Sequence, residues 1–158
     1  MNRTFHSALR PAAALALALA LAGAAHAQGG APQFPPAVGA LVASAKQQVP
    51  GWDIASFRAA LDGGRAGMVI DVREPDEYAA GHVPGAINVP RGLIEFQIWP
   101  RVGGAASPDY ARQMTLYCGT GARCSLAAKS LRDLGFTDVR YVDMRFVDWV
   151  QAGHPTAR

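Results

Sequence analysis

The passage that most constrains the fold runs from Met114-Thr115-Leu116-Tyr117 through Cys118-Gly119-Thr120-Gly121 into Ala122-Arg123-Cys124. An apolar strand end gives way to a small-residue loop and then to a helix whose Ala127, Leu131 and Leu134 share one face. A cysteine is thereby set where a strand hands over to a helix N-terminus. The same alternation recurs elsewhere. Met68-Val69-Ile70 reads as a strand buried on both faces, ending at Asp71, and Pro75 with Asp76 and Glu77 opens a helix that Gly81 closes. Pro84-Gly85 has type II turn chemistry, and Ala86 to Val89 and Val139 to Val142 supply further short strands. Short apolar strands alternating with helices predict a small, mostly parallel sheet between helices, a three-layer α/β fold whose ligands bind beyond the strands' C-terminal ends. Asp71 and Cys118 both fall at such ends.

The loop has a definite chemistry. The first amides of a helix lack intrahelical partners and face negative charge, so a thiolate at Cys118 is favoured over a free cysteine of pKa ~8.5. Gly119 and Gly121 let the N–H groups of Gly119, Thr120, Gly121, Ala122 and Arg123 turn inward as an anion cradle, and Arg123 adds a planar cation. Such a site suits an anionic sulfur atom or an oxyanion brought to it. The bland reading of Cys118, a small buried hydrophobe ending a strand, fits the flanking glycines poorly.

Three motifs, Asp71-Val72-Arg73-Glu74-Pro75-Asp76-Glu77-Tyr78, Gly81-His82-Val83-Pro84-Gly85-Ala86-Ile87-Asn88-Val89-Pro90 and Tyr117 to Arg123, together resemble the rhodanese (sulfurtransferase) family from about Asp53 to Pro155. The resemblance implies the rhodanese-like fold and a Cys118 persulfide that carries sulfane sulfur from a donor such as thiosulfate to a thiophilic acceptor. Related phosphatases of similar fold have one more residue between cysteine and arginine, so the loop argues for sulfur over phosphate. The family usually has a Gly-Gly pair where this chain has Met144-Arg145, which would alter donor access. The resemblance implies no metal or organic cofactor, and no Cys/His set here has zinc-ligand spacing. The partners it implies are small sulfur-containing anions or thiols, and a protein sulfur acceptor is compatible with it.

Residues 1–27 carry Arg3 and Arg10, an apolar run from Pro11 to Ala25, and Ala25-His26-Ala27, the order of a secretory signal peptide cut after Ala27. Export to the periplasm is the expectation, with no stable membrane span after cleavage. The chain has 15 Lys and Arg against 12 Asp and Glu, and losing Arg3 and Arg10 leaves it nearly neutral. No basic run interleaved with aromatics remains, so nucleic acid is a poor partner. Residues 28–36 read as a flexible tether, 37–52 as an extra N-terminal helix on Val38, Leu41, Val42, Ala45 and Val49, and 53–158 as the main domain. Asp53 caps a second helix that ends at Gly63-Gly64.

Several residues admit two readings. Asp71 can simply satisfy nearby backbone donors and Arg73 can pair with Glu77, and in the resembling family these positions border the site and support its loop. Arg123 can bond loop carbonyls or meet the donor's anion. Cys124 is either a small residue in the helix's first turn or a thiol that resolves a persulfide or sulfenate on Cys118. His82 reads as structural and His154 as solvent-exposed. Leu93 to Trp99 reads as core packing followed by a loop at Gly103 to Ser107, or as an apolar lid beside Cys118. Two further function classes remain open on sequence: a thiol redox protein cycling Cys118 and Cys124, and a non-catalytic sulfur carrier.

Overall fold

The computed structural model describes Met1 and residues 34–158. The expected signal segment and most of the expected tether lie outside the described residues. The elements are α1 (Pro36–Gln48), β1 (Gly51–Trp52), α2 (Ile54–Asp62), β2 (Met68–Asp71), α3 (Pro75–Ala80), β3 (Ile87–Asn88), α4 (Ile94–Gln97), β4 (Met114–Tyr117), α5 (Ala122–Asp133), β5 (Val139–Val142) and α6 (Phe146–Gln151), with 3-10 turns on either side of α4. The strands form one sheet in the order β1-β5-β4-β2-β3, with every pairing parallel. Among the described residues, no helix is long and apolar enough to cross a membrane.

Strand alternation divides the core into two layers. Ile70, Met114, Leu116, Val139 and Tyr141 face a cluster with Ile94, Ile98, Ala127 and Leu131 from α4, α5 and the turn after α4. Val69, Tyr117 and Val142 face Phe57, Ala60 and Trp149 of α2 and α6. Phe57 sits between Tyr117 and Trp149, with ring centroids 6.3 and 5.4 Å away, and all three are fully buried. Each such side chain contributes about 1.5–3 kcal/mol by leaving water. Asp53 caps α2 through its side chain, which accepts the Ser56 N–H at 2.7 Å.

Gly51 and Trp52, grouped with the N-terminal helix on sequence, are instead an edge strand paired to β5. A Cβ at position 51 would lie 2.6 Å from Tyr141 Cζ, so any larger residue there must displace that ring. Helix α1 buries Val42 and Ala45 and leaves Leu41 exposed. Its Lys46 reaches Asp143, just beyond β5, at 2.6 Å.

Candidate active site

Parallel pairing sets the site. β2 and β4 are in register with Asp71 opposite Tyr117, and the Val72 N–H donates to the Tyr117 carbonyl at 3.0 Å, so two motifs 47 positions apart end on one rim. Tyr117 turns to the α2 and α6 side, where its hydroxyl accepts the Val83 N–H at 3.0 Å. Burial raises the Tyr117 pKa, so it stays a neutral phenol. The next residue, Cys118, faces the α5 side and is fully buried.

Gly121 permits the turn from strand to helix. It adopts φ +80°, and a Cβ there would lie 2.5 Å from Asp143 Oδ1. Helix α5 starts one residue later and aims its first amides at sulfur. The Cys124 N–H donates to Cys118 Sγ at 3.4 Å, and the two sulfurs are 3.4 Å apart as free cysteines. The Cys118 thiol is lowered from the ordinary 9.0 to about 6. The Cys124 side-chain hydrogen bond is the largest cause, burial opposes it, and the N–H groups of Thr120, Cys124 and Gly121 add to the lowering. Burial and then the neighbouring Cys118 push Cys124 well up. One sulfur is therefore an anion near neutral pH, and the other is its thiol donor.

Arg123 does not bond the loop carbonyls; its partner is a carboxylate. Its Nη1 and Nη2 donate to Glu77 Oε2 and Oε1 at 2.6 and 2.9 Å, with Glu74 4.0 Å away. Glu77 thus belongs to Arg123, and the expected Arg73–Glu77 pair does not form. Arg73 is instead buried against Asp71, with Nε at 3.0 Å from both carboxylate oxygens and Nη2 2.6 Å from Oδ2, and Nη2 also donates to the Gly81 carbonyl at 2.6 Å. Its guanidinium lies 3.9 Å from the Phe146 ring centroid, and the Phe146 N–H donates to the Gly119 carbonyl at 3.1 Å. Asp71 therefore acts on the loop at one remove, through Arg73 and the start of α6. Asp71 also accepts the Arg73 N–H at 2.9 Å, the backbone role expected of it.

Other expectations resolve differently. His82 is buried, stacks on Tyr78 at 3.7 Å and places Nδ1 3.0 Å from the Tyr78 carbonyl, a structural position. His154 is half-buried against Trp149 rather than exposed, because the last turn folds back over that ring. Met144 is buried with α2 and α6, so its thioether does not stand at the entrance, and Arg145 pairs with Asp148. In the segment read as core packing or a lid, Ile94 and Ile98 are fully buried in the cluster that holds Cys118, while Leu93 and Phe96 stay exposed, and the chain after Ser107 runs to the N-terminal end of β4. A groove of about 440 Å³ does open beside the loop, between Arg73, Glu77, Gly81, Phe146, Val147 and Val150. Among the described residues, no group of three or more His, Cys, Asp or Glu could hold a metal ion.

On sequence Glu77 reads as a partner of Arg73 and not of Arg123, and Asp143 and its partner Lys46 are not singled out. Glu77 sits within the motif that opens α3. Nothing local to Lys46 or Asp143 signals a contact with the loop.

Comparison with known proteins agrees with this fold. The Saccharomyces cerevisiae thiosulfate:glutathione sulfurtransferase is 32% identical over 95 residues, which cover 54% of this chain. This chain spans 66% of that protein's length, just under two thirds. Among solved structures, the Rhodopseudomonas palustris protein RPA3614, described as a possible tyrosine phosphatase, is 28% identical with a TM-score of 0.67, covering 81% of this chain and all of that one. The human single-domain sulfurtransferase TSTD1 is 27% identical with a TM-score of 0.55, covering 65% and 96%. A model of the rhodanese-like domain matches residues 53–152, well over half of the sequence, and the chain belongs to that family.

Proposed function

We propose that this chain is a sulfurtransferase that moves sulfane sulfur from a small anionic donor to a thiophilic acceptor through a persulfide on Cys118. The supporting observation is the Cys118 sulfur beneath the first turn of α5, held as a thiolate by Cys124 and the loop amides with no histidine base beside it among the described residues. The thiolate attacks the outer sulfur of thiosulfate, and sulfite leaves with the bonding electron pair. The persulfide's charge then rests in the cradle of Gly119 to Arg123. Cyanide, sulfite or a thiol attacks that outer sulfur, and the Cys118 thiolate returns. No step needs a proton from an acid or base at the site.

Thiosulfate is the first donor to test, because the yeast relative's name couples it with glutathione. Four residues separate Cys118 from Arg123, and Glu77 already occupies the Arg123 fork, which favours sulfur over a phosphate monoester. The groove between Arg73 and Val150 is the route proposed for the acceptor. Action in the periplasm is proposed from the sequence of residues 1–27 alone.

Steady-state kinetics with thiosulfate and cyanide test the reading. A two-step covalent cycle gives parallel double-reciprocal lines, and thiocyanate formation disappears in Cys118→Ser. Intersecting lines, or a Cys118→Ser variant with full turnover, would remove the covalent intermediate. Persulfide without turnover would leave a carrier in place of an enzyme.

A further inference from the structure

We propose that Cys124 is a resolving thiol that attacks the inner sulfur of the Cys118 persulfide, so that the chain releases sulfide and closes on an internal Cys118–Cys124 disulfide. The inference rests on the sulfur-transfer reading above and gives the sulfur a second exit when no acceptor arrives.

Cys124 is fully buried, six positions after Cys118, in the first turn of α5. Its sulfur lies 3.4 Å from Cys118 Sγ, from the Gly121 carbonyl and from the Val142 carbonyl. One S–H proton thus lies within reach of three acceptors at equal distance, the nucleophilic sulfur among them. The next residue differs: Ser125, equally buried, donates its hydroxyl to the Ala122 carbonyl at 2.9 Å, a settled local bond. The residue that merely satisfies the helix is therefore Ser125, while Cys124 is the one held against the nucleophile.

Loading sulfur on Cys118 changes both partners. The negative charge moves one bond outward into the cradle, away from Cys124, and Cys118 Sγ becomes a neutral sulfur open to attack. Cys124 Sγ forms the new S–S bond while the bond to the outer sulfur breaks. The electron pair leaves with the outer sulfur, which takes the Cys124 proton and departs as hydrosulfide. The sulfane sulfur is reduced, the two thiols are oxidised to a disulfide, and no external oxidant enters. The sulfurs must close from 3.4 Å to about 2.05 Å, a movement that the two glycines beside Cys118 ease. The short ring constrains the unfolded chain little, so a small dithiol can reopen it.

The test loads the full chain with one equivalent of thiosulfate under anaerobic conditions without cyanide, and follows sulfite, sulfide and intact mass. The wild type is expected to release one sulfite and then one sulfide per chain, ending two hydrogens lighter than the reduced protein. Cys124→Ser and Cys124→Ala, whose Cys118 has lost its thiol donor, should release their sulfite more slowly, then no sulfide, and keep the mass of one extra sulfur. A wild type that keeps the extra sulfur and releases no sulfide overturns the inference, whether or not the variants fold. A disulfide without sulfide overturns it as well, since oxidation and not the persulfide made the bond. Absence of sulfite from every protein instead overturns the sulfur-transfer reading, and the inference with it.

Discussion

The Arg123 guanidinium meets the Glu77 carboxylate end-on, through Nη1 and Nη2 at 2.6 and 2.9 Å, so the cation closing the thiol loop is neutralised from helix α3. The hydrogen bonds that Arg123 donates hold Glu77 below its usual carboxylate range, and the same bonds raise Arg123. An anionic donor therefore meets an arginine that already has a partner. Glu77→Gln frees that charge: the KM for thiosulfate should fall severalfold, and the gain should shrink at high ionic strength. Both side chains are about one third exposed, so the stability lost should stay below about 1 kcal/mol. A KM that does not move would mean that Arg123 never meets the donor.

Cys118 should titrate near pH 6 in its rate of alkylation by iodoacetamide. Cys124→Ala removes the largest cause of that lowering and should shift the midpoint up, toward the ordinary cysteine value near 8.5. The same depression links to stability. A thiol whose folded pKa lies below its unfolded one stabilises fully above the unfolded value, and that stabilisation is lost as pH falls through the folded value. Wild-type stability should therefore decline between about pH 9 and pH 6, by roughly 1 to 4 kcal/mol, while Cys118→Ser shows no such window. Denaturant midpoints across that range check it.

Gly121→Ala should damage loop and fold together. Its φ of +80° disfavours any side chain, and its Cβ would collide with Asp143 Oδ1. A cost of about 1–3 kcal/mol and a turnover loss beyond tenfold are expected, read from thermal melts and thiosulfate–cyanide assays.

Asp71→Asn leaves the Arg73 guanidinium buried with its carboxylate partner gone. Breaking a buried pair in this way costs about 3–5 kcal/mol. Because Arg73 supports Phe146 and thus Gly119, folded protein carrying Asp71→Asn should also turn over more slowly, with kcat affected before KM.

Much of this was legible in the chain because it is local. The strand, cysteine, glycine and helix succession fixes the thiol at a helix start from neighbouring residues alone, and the period of the apolar runs gives the parallel sheet. What escaped was long-range. Glu77 pairs with Arg123 across 46 positions, and Lys46 reaches Asp143 across 97, and neither partner marks the other in sequence. Gly51-Trp52 was hidden for a related reason: two residues are too short to show a period, and only pairing with β5 makes them a strand. Apolar crowding in Leu93 to Trp99 tells that a segment is partly buried, and not which of its side chains face the core. In the structure, Arg73 takes Asp71 over Glu77 because Asp71 is buried with it at the strand end, whereas Glu77 lies out on α3 facing Arg123.

The measurement closest to the central claim is the sulfite released when the chain meets thiosulfate with no acceptor present. The account predicts a burst of one sulfite per chain, abolished in Cys118→Ser, whatever later becomes of the sulfur left on the protein. No burst, or a burst that survives Cys118→Ser, would contradict a Cys118 persulfide as the intermediate.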